Sequence, residues 1–103
     1  MYHVTITYGH PEDPQAFDEY YSTTHLPLAA KIPGVRAFSA GRTETLDGTA
    51  PSVYYLASIT FDDKESAAAG FTSPEGQAAA ADIPNFATGG ATLHFNPAEI
   101  SIP

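Results

Sequence analysis

Apolar and polar residues alternate from Tyr2 to Tyr8, with Tyr2, Val4, Ile6 and Tyr8 on one face and His3, Thr5 and Thr7 on the other. A period of two predicts a strand buried on one side. The period then changes. Across Asp13–Gly34, DPQAFDEYYSTTHLPLAAKIPG, about 3.6 residues per turn puts Phe17, Tyr21, Thr24 and Leu28 on one stripe, flanked by Tyr20 and His25. Asp13 suits the N-cap of this helix, and Pro14 its first turn, where a missing N–H costs nothing. Pro27 disfavours the α conformation at Leu26 and opposes the Thr23 carbonyl, so the helix is expected to kink or end there. That expectation sets His25 at a break, where an imidazole finds both a hydrogen-bond partner and solvent.

After the Pro33-Gly34 turn, Val35 to Arg42 reads as a second strand and the nearly continuous apolar run Val53 to Phe61 as a third, central one. Thr43 to Ser52, with Asp47-Gly48 and Pro51, connects them. Asp62 or Asp63 caps a helix running to about Gly70, and Ser73 with Pro74 restarts one through Ala78–Ala81, so the second helical region is broken at Phe71–Ser73. Pro84 ends it, Phe86 and Gly89-Gly90 form a loop, and Ala91 to Phe95 makes a fourth strand. In the tail, Ile100 and Ile102 suggest a short edge strand. The order β-α-β-β-α-β over a single domain, residues 1–103, is the split-βαβ arrangement of ferredoxin-like α+β folds: a four-stranded antiparallel sheet with both helices on one face. With Val4, Ile6, Tyr55, Ala57, Ile59, Leu93 and Phe95 turned to the helices, the other face is expected to show Thr5, Thr7, Phe38, Ala40, Tyr54, Leu56, Ser58, Thr60, Thr92 and His94. It holds no Lys, Asp or Glu, and its only charges are Arg36 and Arg42 on the second strand. Such a face reads as the interface of a homodimer.

Composition narrows the partners. Twelve acidic residues against four basic ones give a formal charge of −8, which argues against nucleic acid and anionic membranes. No apolar run is long enough to span a membrane, and MYHVTITY is not a leader, so a cytoplasmic protein is expected. Absence of cysteine removes disulfides, thiolate catalysis and Cys-ligated metals. His3, His10, His25 and His94 lack the spacing that puts two imidazoles on one helix face, so no metal site is expected. Gly89-Gly90 lacks the strand, spacing and helix of a nucleotide loop. His25 reads as a general acid/base or ligand-orienting group, or else as a helix-end histidine capping a carbonyl, and Tyr21, on the central stripe, is preferred over Tyr20 beside it as a pocket residue. Arg36 and Arg42 offer charges for a carboxylate or phenolate substrate, with a partner in the acidic loop or across a dimer as the preferred alternative.

FDEYYSTTHLPLAAKIPGVRAFSAGR and SPEGQAAAADIPNFATGG give the chain a resemblance to the EthD family of small dimeric α+β-barrel proteins, named for a degradation operon for an ether fuel additive. The resemblance implies the dimeric barrel and assigns the pocket histidine to His25. Related dimeric α+β barrels include monooxygenases, polyketide cyclases, lactone isomerases and dehydratases, so the fold does not choose a reaction. The expectation is a small enzyme, without cofactor, nucleotide or metal, acting on an apolar aromatic or polyketide-like molecule. Its substrate lies between helices and sheet, walled by Phe17, Tyr21, Phe38, Tyr55 and Phe86, and His25 moves a proton. The alternative is a non-catalytic carrier of a hydrophobic metabolite.

Overall fold

A computed structural model describes residues 1–102. Four strands, β1 (Tyr2–Tyr8), β2 (Ala37–Arg42), β3 (Tyr55–Phe61) and β4 (Ala91–Pro97), form one sheet in the order β2-β3-β1-β4 with every neighbouring pair antiparallel. This is the ferredoxin-like α+β fold expected from the element order. The helical layer lies on one face: α1 (Pro14–Tyr20), a π turn (Tyr21–His25), α2 (Leu26–Ala29), α3 (Lys64–Thr72), α4 (Pro74–Asp82) and a 3₁₀ turn (Ile83–Asn85). Asp13, Asp63 and Ser73 cap α1, α3 and α4 by accepting from the amides of Ala16, Ser66 and Gly76. Gly70 lets α3 lie close to its neighbours, since a Cβ there would stand 2.7 Å from the Pro33 carbonyl oxygen.

Pro27 does not end the first helix. The turn before it widens, and the Leu26 amide reaches back five residues to the Tyr21 carbonyl. An α turn would press the proline ring against the Thr23 carbonyl, and the wider turn avoids that clash. The Ser22 and Thr23 hydroxyls donate to the Glu19 carbonyl where the backbone pattern changes. The widening also resets the buried stripe. Phe17, Tyr21, His25 and Ala29 are buried at a constant spacing of four, while Thr24 faces solvent and Leu28 is half-buried.

The two faces of the sheet differ from the expectation at β2. Phe38 is opposite Ile59 and Ala40 opposite Ala57, so these side chains share the helix-side face with Val4, Ile6 and Leu93. Tyr54, also expected on the open face, is buried against α1, where its hydroxyl donates to Asp18 at 2.6 Å. Arg42 lies over the Tyr54 ring, 5.3 Å from its centroid. The open face carries His3, Thr5, Thr7, Ser39, Leu56, Ser58, Thr60, Thr92 and His94. It lacks Asp, Glu, Lys and Arg, and Leu56, 37% exposed, is its large apolar residue. Pro97 closes β4, and Ile100 and Ile102 are exposed outside any strand, so the edge strand suggested for the tail does not form.

Candidate active site

The site is built where the π turn meets the end of α4. The π turn keeps Tyr21 and His25 inward together, the latter only 3% exposed. Asp82 closes α4 and is 7% exposed. Its Oδ2 lies 3.0 Å from His25 Nδ1, while Oδ1 accepts from the Tyr20 hydroxyl at 2.6 Å and from Asn85 Nδ2 at 3.0 Å. Burial alone would raise the Asp82 carboxyl, but the bonds from Tyr20, Asn85 and His25 together hold it below the ordinary carboxylate value. Burial lowers the His25 imidazole below its ordinary value, outweighing the opposing pull of Asp82. Near neutrality the pair is therefore a carboxylate and a neutral imidazole. A carboxylate only accepts, so the proton sits on Nδ1 and Nε2 keeps its lone pair. Phe86, with its centroid 4.6 Å from that of His25, and Tyr21, at 5.2 Å, are 5.6 Å from each other and pack together against one side of the ring. A base oriented by a buried carboxylate is equipped to take a proton from carbon or oxygen and to return it.

Beside His25 is a cavity of about 20 Å³. Its wall is mainly aliphatic, with Ile6, Ala29, Ile32, Ile59, Ala79, Ala80, Ile83 and Leu93, joined by Tyr8, Tyr21, Phe38 and Phe71. A mainly aromatic pocket was expected there. The difference arises because the rings pack on one another rather than around a space. Of the expected site residues, His25, Tyr21 and Phe38 meet at this cavity. Phe17, Tyr55 and Phe86 do not line it. They interlock beneath α1, with Phe17 5.3 Å from Tyr55 and 5.2 Å from Phe86, centroid to centroid. Arg36 is on the surface, its Nε and Nη2 donating to the two carboxylate oxygens of Asp62 at 2.9 and 3.0 Å. It has no place in the cavity, because the pairing with Asp62 holds the guanidinium outside the sheet edge. Among the described residues, no three His, Asp or Glu side chains are grouped to hold a metal ion.

Asp82 and Asn85 escape a reading by periodicity, and Tyr8 is placed inward by it without being marked for the site. Asp82 does leave a trace in the sequence. A carboxylate in the last turn of a helix opposes the macrodipole, so an aspartate after four alanines and before Ile-Pro calls for a compensating partner. Tyr8 reads simply as the last inward residue of a strand.

The fold and the buried His–Asp pair define a ferredoxin-like α+β domain with a chemically equipped space between helices and sheet. The EthD domain model matches residues 9–90, and the chain belongs to the EthD family. It is 53% identical over 103 residues, the whole of both chains, to an uncharacterized 11.0 kDa protein of the thcB–thcC intergenic region of Rhodococcus erythropolis. An EthD family protein from Bacillus halodurans C-125 superposes with a TM-score of 0.86 at 36% identity, covering 94% of this chain and 97% of that one. A more distant likeness in fold is to a variant of SnoaB, a cofactor-independent oxygenase from Streptomyces nogalater, with a TM-score of 0.67, 17% identity, and 99% and 95% of the two chains covered.

Proposed function

We propose that this protein is a small cofactor-independent enzyme that moves a proton on an apolar aromatic or polyketide-like molecule, with His25 as the acid/base. The observation that carries the reading is the His25–Asp82 pair, buried, tautomerically fixed and set at the wall of an apolar cavity. A buried carboxylate and imidazole serve packing poorly, since each needs compensation for lost solvent. They serve a base well. The fold is one on which SnoaB, by name, carries out cofactor-independent oxygen chemistry, which supports a reaction needing only protein groups. Enolisation, dehydration, cyclisation and cofactor-free oxidation all begin or end with such a proton transfer. A cavity of about 20 Å³ is smaller than any aromatic substrate, so binding requires α2 and α4 to part. Their facing residues Ala29, Ala79 and Ala80 interlock little and allow it.

His25→Gln tests the reading, because an amide retains a hydrogen bond but does not exchange a proton near neutrality. With a substrate drawn from aromatic ketones, lactones and polyketide-like compounds, turnover should fall by about 10² to 10⁴ with the fold intact. Turnover at the wild-type rate would refute the assignment. Unaltered ligand held equally by both proteins would make this a carrier instead. The working unit in this proposal is a homodimer closed through the charge-free sheet face. Light scattering at micromolar concentration should give twice the chain mass, and a monomer would exclude it.

A further inference from the structure

Tyr8 closes β1 and is wholly buried, with its ring against Phe17, Tyr21 and Phe86. A buried phenol normally finds a hydrogen-bond partner, and one left without it weakens the fold. The Tyr8 hydroxyl has no hydrogen-bond partner among the described residues. The Tyr21 hydroxyl comes near enough to affect its ionisation without completing a hydrogen bond. Burial pushes the Tyr8 phenol up to about 12, so it stays protonated and able to donate. Tyr8, Tyr21 and His25 line the same cavity, and none of the other lining residues is Asp, Glu, Lys or Arg. A charged ligand would therefore be stripped of water with nothing to replace it. The unspent chemistry is one acceptor, His25 Nε2, and phenolic donors.

We propose that Tyr8 is the oxygen-binding residue of the site, its hydroxyl donating to the carbonyl oxygen of an uncharged, enolisable ketone whose neighbouring C–H faces His25 Nε2. The inference rests on the reading of His25 as a base and adds the substrate class and the group that stabilises the reacting oxygen. Nε2 takes the proton from carbon. The C–H electron pair becomes the C=C bond of the enolate, and the carbonyl π pair moves to oxygen, where the Tyr8 O–H holds the charge. Return of the proton from Nε2 to the same carbon, or to a conjugated one, completes exchange or isomerisation, and nothing else is consumed. The orphaned hydroxyl is then a stability cost retained for the reaction.

The experiment is exchange of the α hydrogens of cyclohexanone and β-tetralone for deuterium in D₂O, followed by proton NMR with the whole protein, Tyr8→Phe and His25→Gln, alongside the Tm of each. Wild-type protein should accelerate exchange above the buffer rate. Tyr8→Phe should lower the rate per folded molecule by about 10² to 10³, the range for loss of one such donor. It should also raise Tm by roughly 4 °C or more, because an unpaired buried hydroxyl is removed without changing the shape of the core. Tyr8→Phe at the wild-type rate, with His25→Gln inactive, would overturn the Tyr8 assignment and leave the base in place. Both variants at an accelerated wild-type rate would overturn both, whereas no acceleration by wild-type protein with either ketone would overturn the enolisable-ketone assignment and its Tyr8 donor while leaving the reading of His25 to its own test.

Discussion

The layer between helices and sheet has two unlike halves. Beneath α1, six aromatic rings, of Tyr8, Phe17, Tyr21, Tyr54, Tyr55 and Phe86, meet at centroid distances from 4.7 to 6.3 Å, mostly edge to face or tilted. Beneath α2 and α4 the helices present Ala29, Ala79 and Ala80 to Ile6, Ile59 and Leu93, and the cavity remains. Rings bury large areas with few rotatable bonds and hold their neighbours in place. Alanines bring helices near without filling the space between them. His25 stands at the border, its imidazole gripped by Tyr21 and Phe86 on the aromatic side while the cavity opens on the other. The contrast teaches a division in packing: the tightly packed half fixes the imidazole of His25, and the loosely packed half leaves the space beside it.

The comparison is open to direct attack. Phe17→Ala removes the ring at the centre of the aromatic half and should cost about 3–5 kcal/mol by urea unfolding. A loss under about 1 kcal/mol would mean that the rings are not the rigid part. Asp82→Asn leaves the packing but frees the imidazole tautomer, and should lower turnover by about 10- to 100-fold, as loss of an orienting partner does elsewhere. Unchanged turnover would reduce Asp82 to a structural group. Ala79→Leu fills the other half. Because space is present, it should cost about 1 kcal/mol or less while abolishing ligand capture in calorimetry, whereas a cost near that of Phe17→Ala would show the two halves to be equally tight.

The smallest effect is on pH dependence. His25 titrates lower in the folded chain than the unfolded value near 6.5, so below that pH the unfolded state takes up the proton first. Stability contributed by the neutral buried imidazole is present above about pH 6.5 and is lost as pH falls towards the depressed folded value. Asp82, also depressed, adds a second loss below its ordinary value near 3.9. Tm measured against pH should show the first decline in wild-type protein and lack it in His25→Gln. Turnover should decline over the same acid range, since a protonated Nε2 takes no proton.

Strand β1, the caps Asp13 and Ser73, the Asp62-Asp63 pair of which Asp63 is the cap, and the break between α3 and α4 were legible in the chain because each depends on residues a few positions apart. The same local logic brought out His25 and Tyr21, the family motif pointing to the histidine alone. It misplaced Thr24, Phe38 and Tyr54. A proline three to five residues after Ser22, Thr23 and Thr24 can be met by widening a turn as well as by ending a helix, and the choice rests on what the helix packs against. The face that Phe38 occupies depends on its pairing with β3, where a shift of one residue reverses every side chain. Asp82 is 57 residues from His25, and no periodicity reaches that far. Folding brings the two together and takes water from both, and that desolvation, offset by Tyr20 and Asn85 on the carboxylate, gives a helix-end histidine a neutral, oriented imidazole. Elements and their order follow from spacing along the chain, whereas the protonation, partners and surroundings of the site follow from which distant groups share a space that excludes solvent.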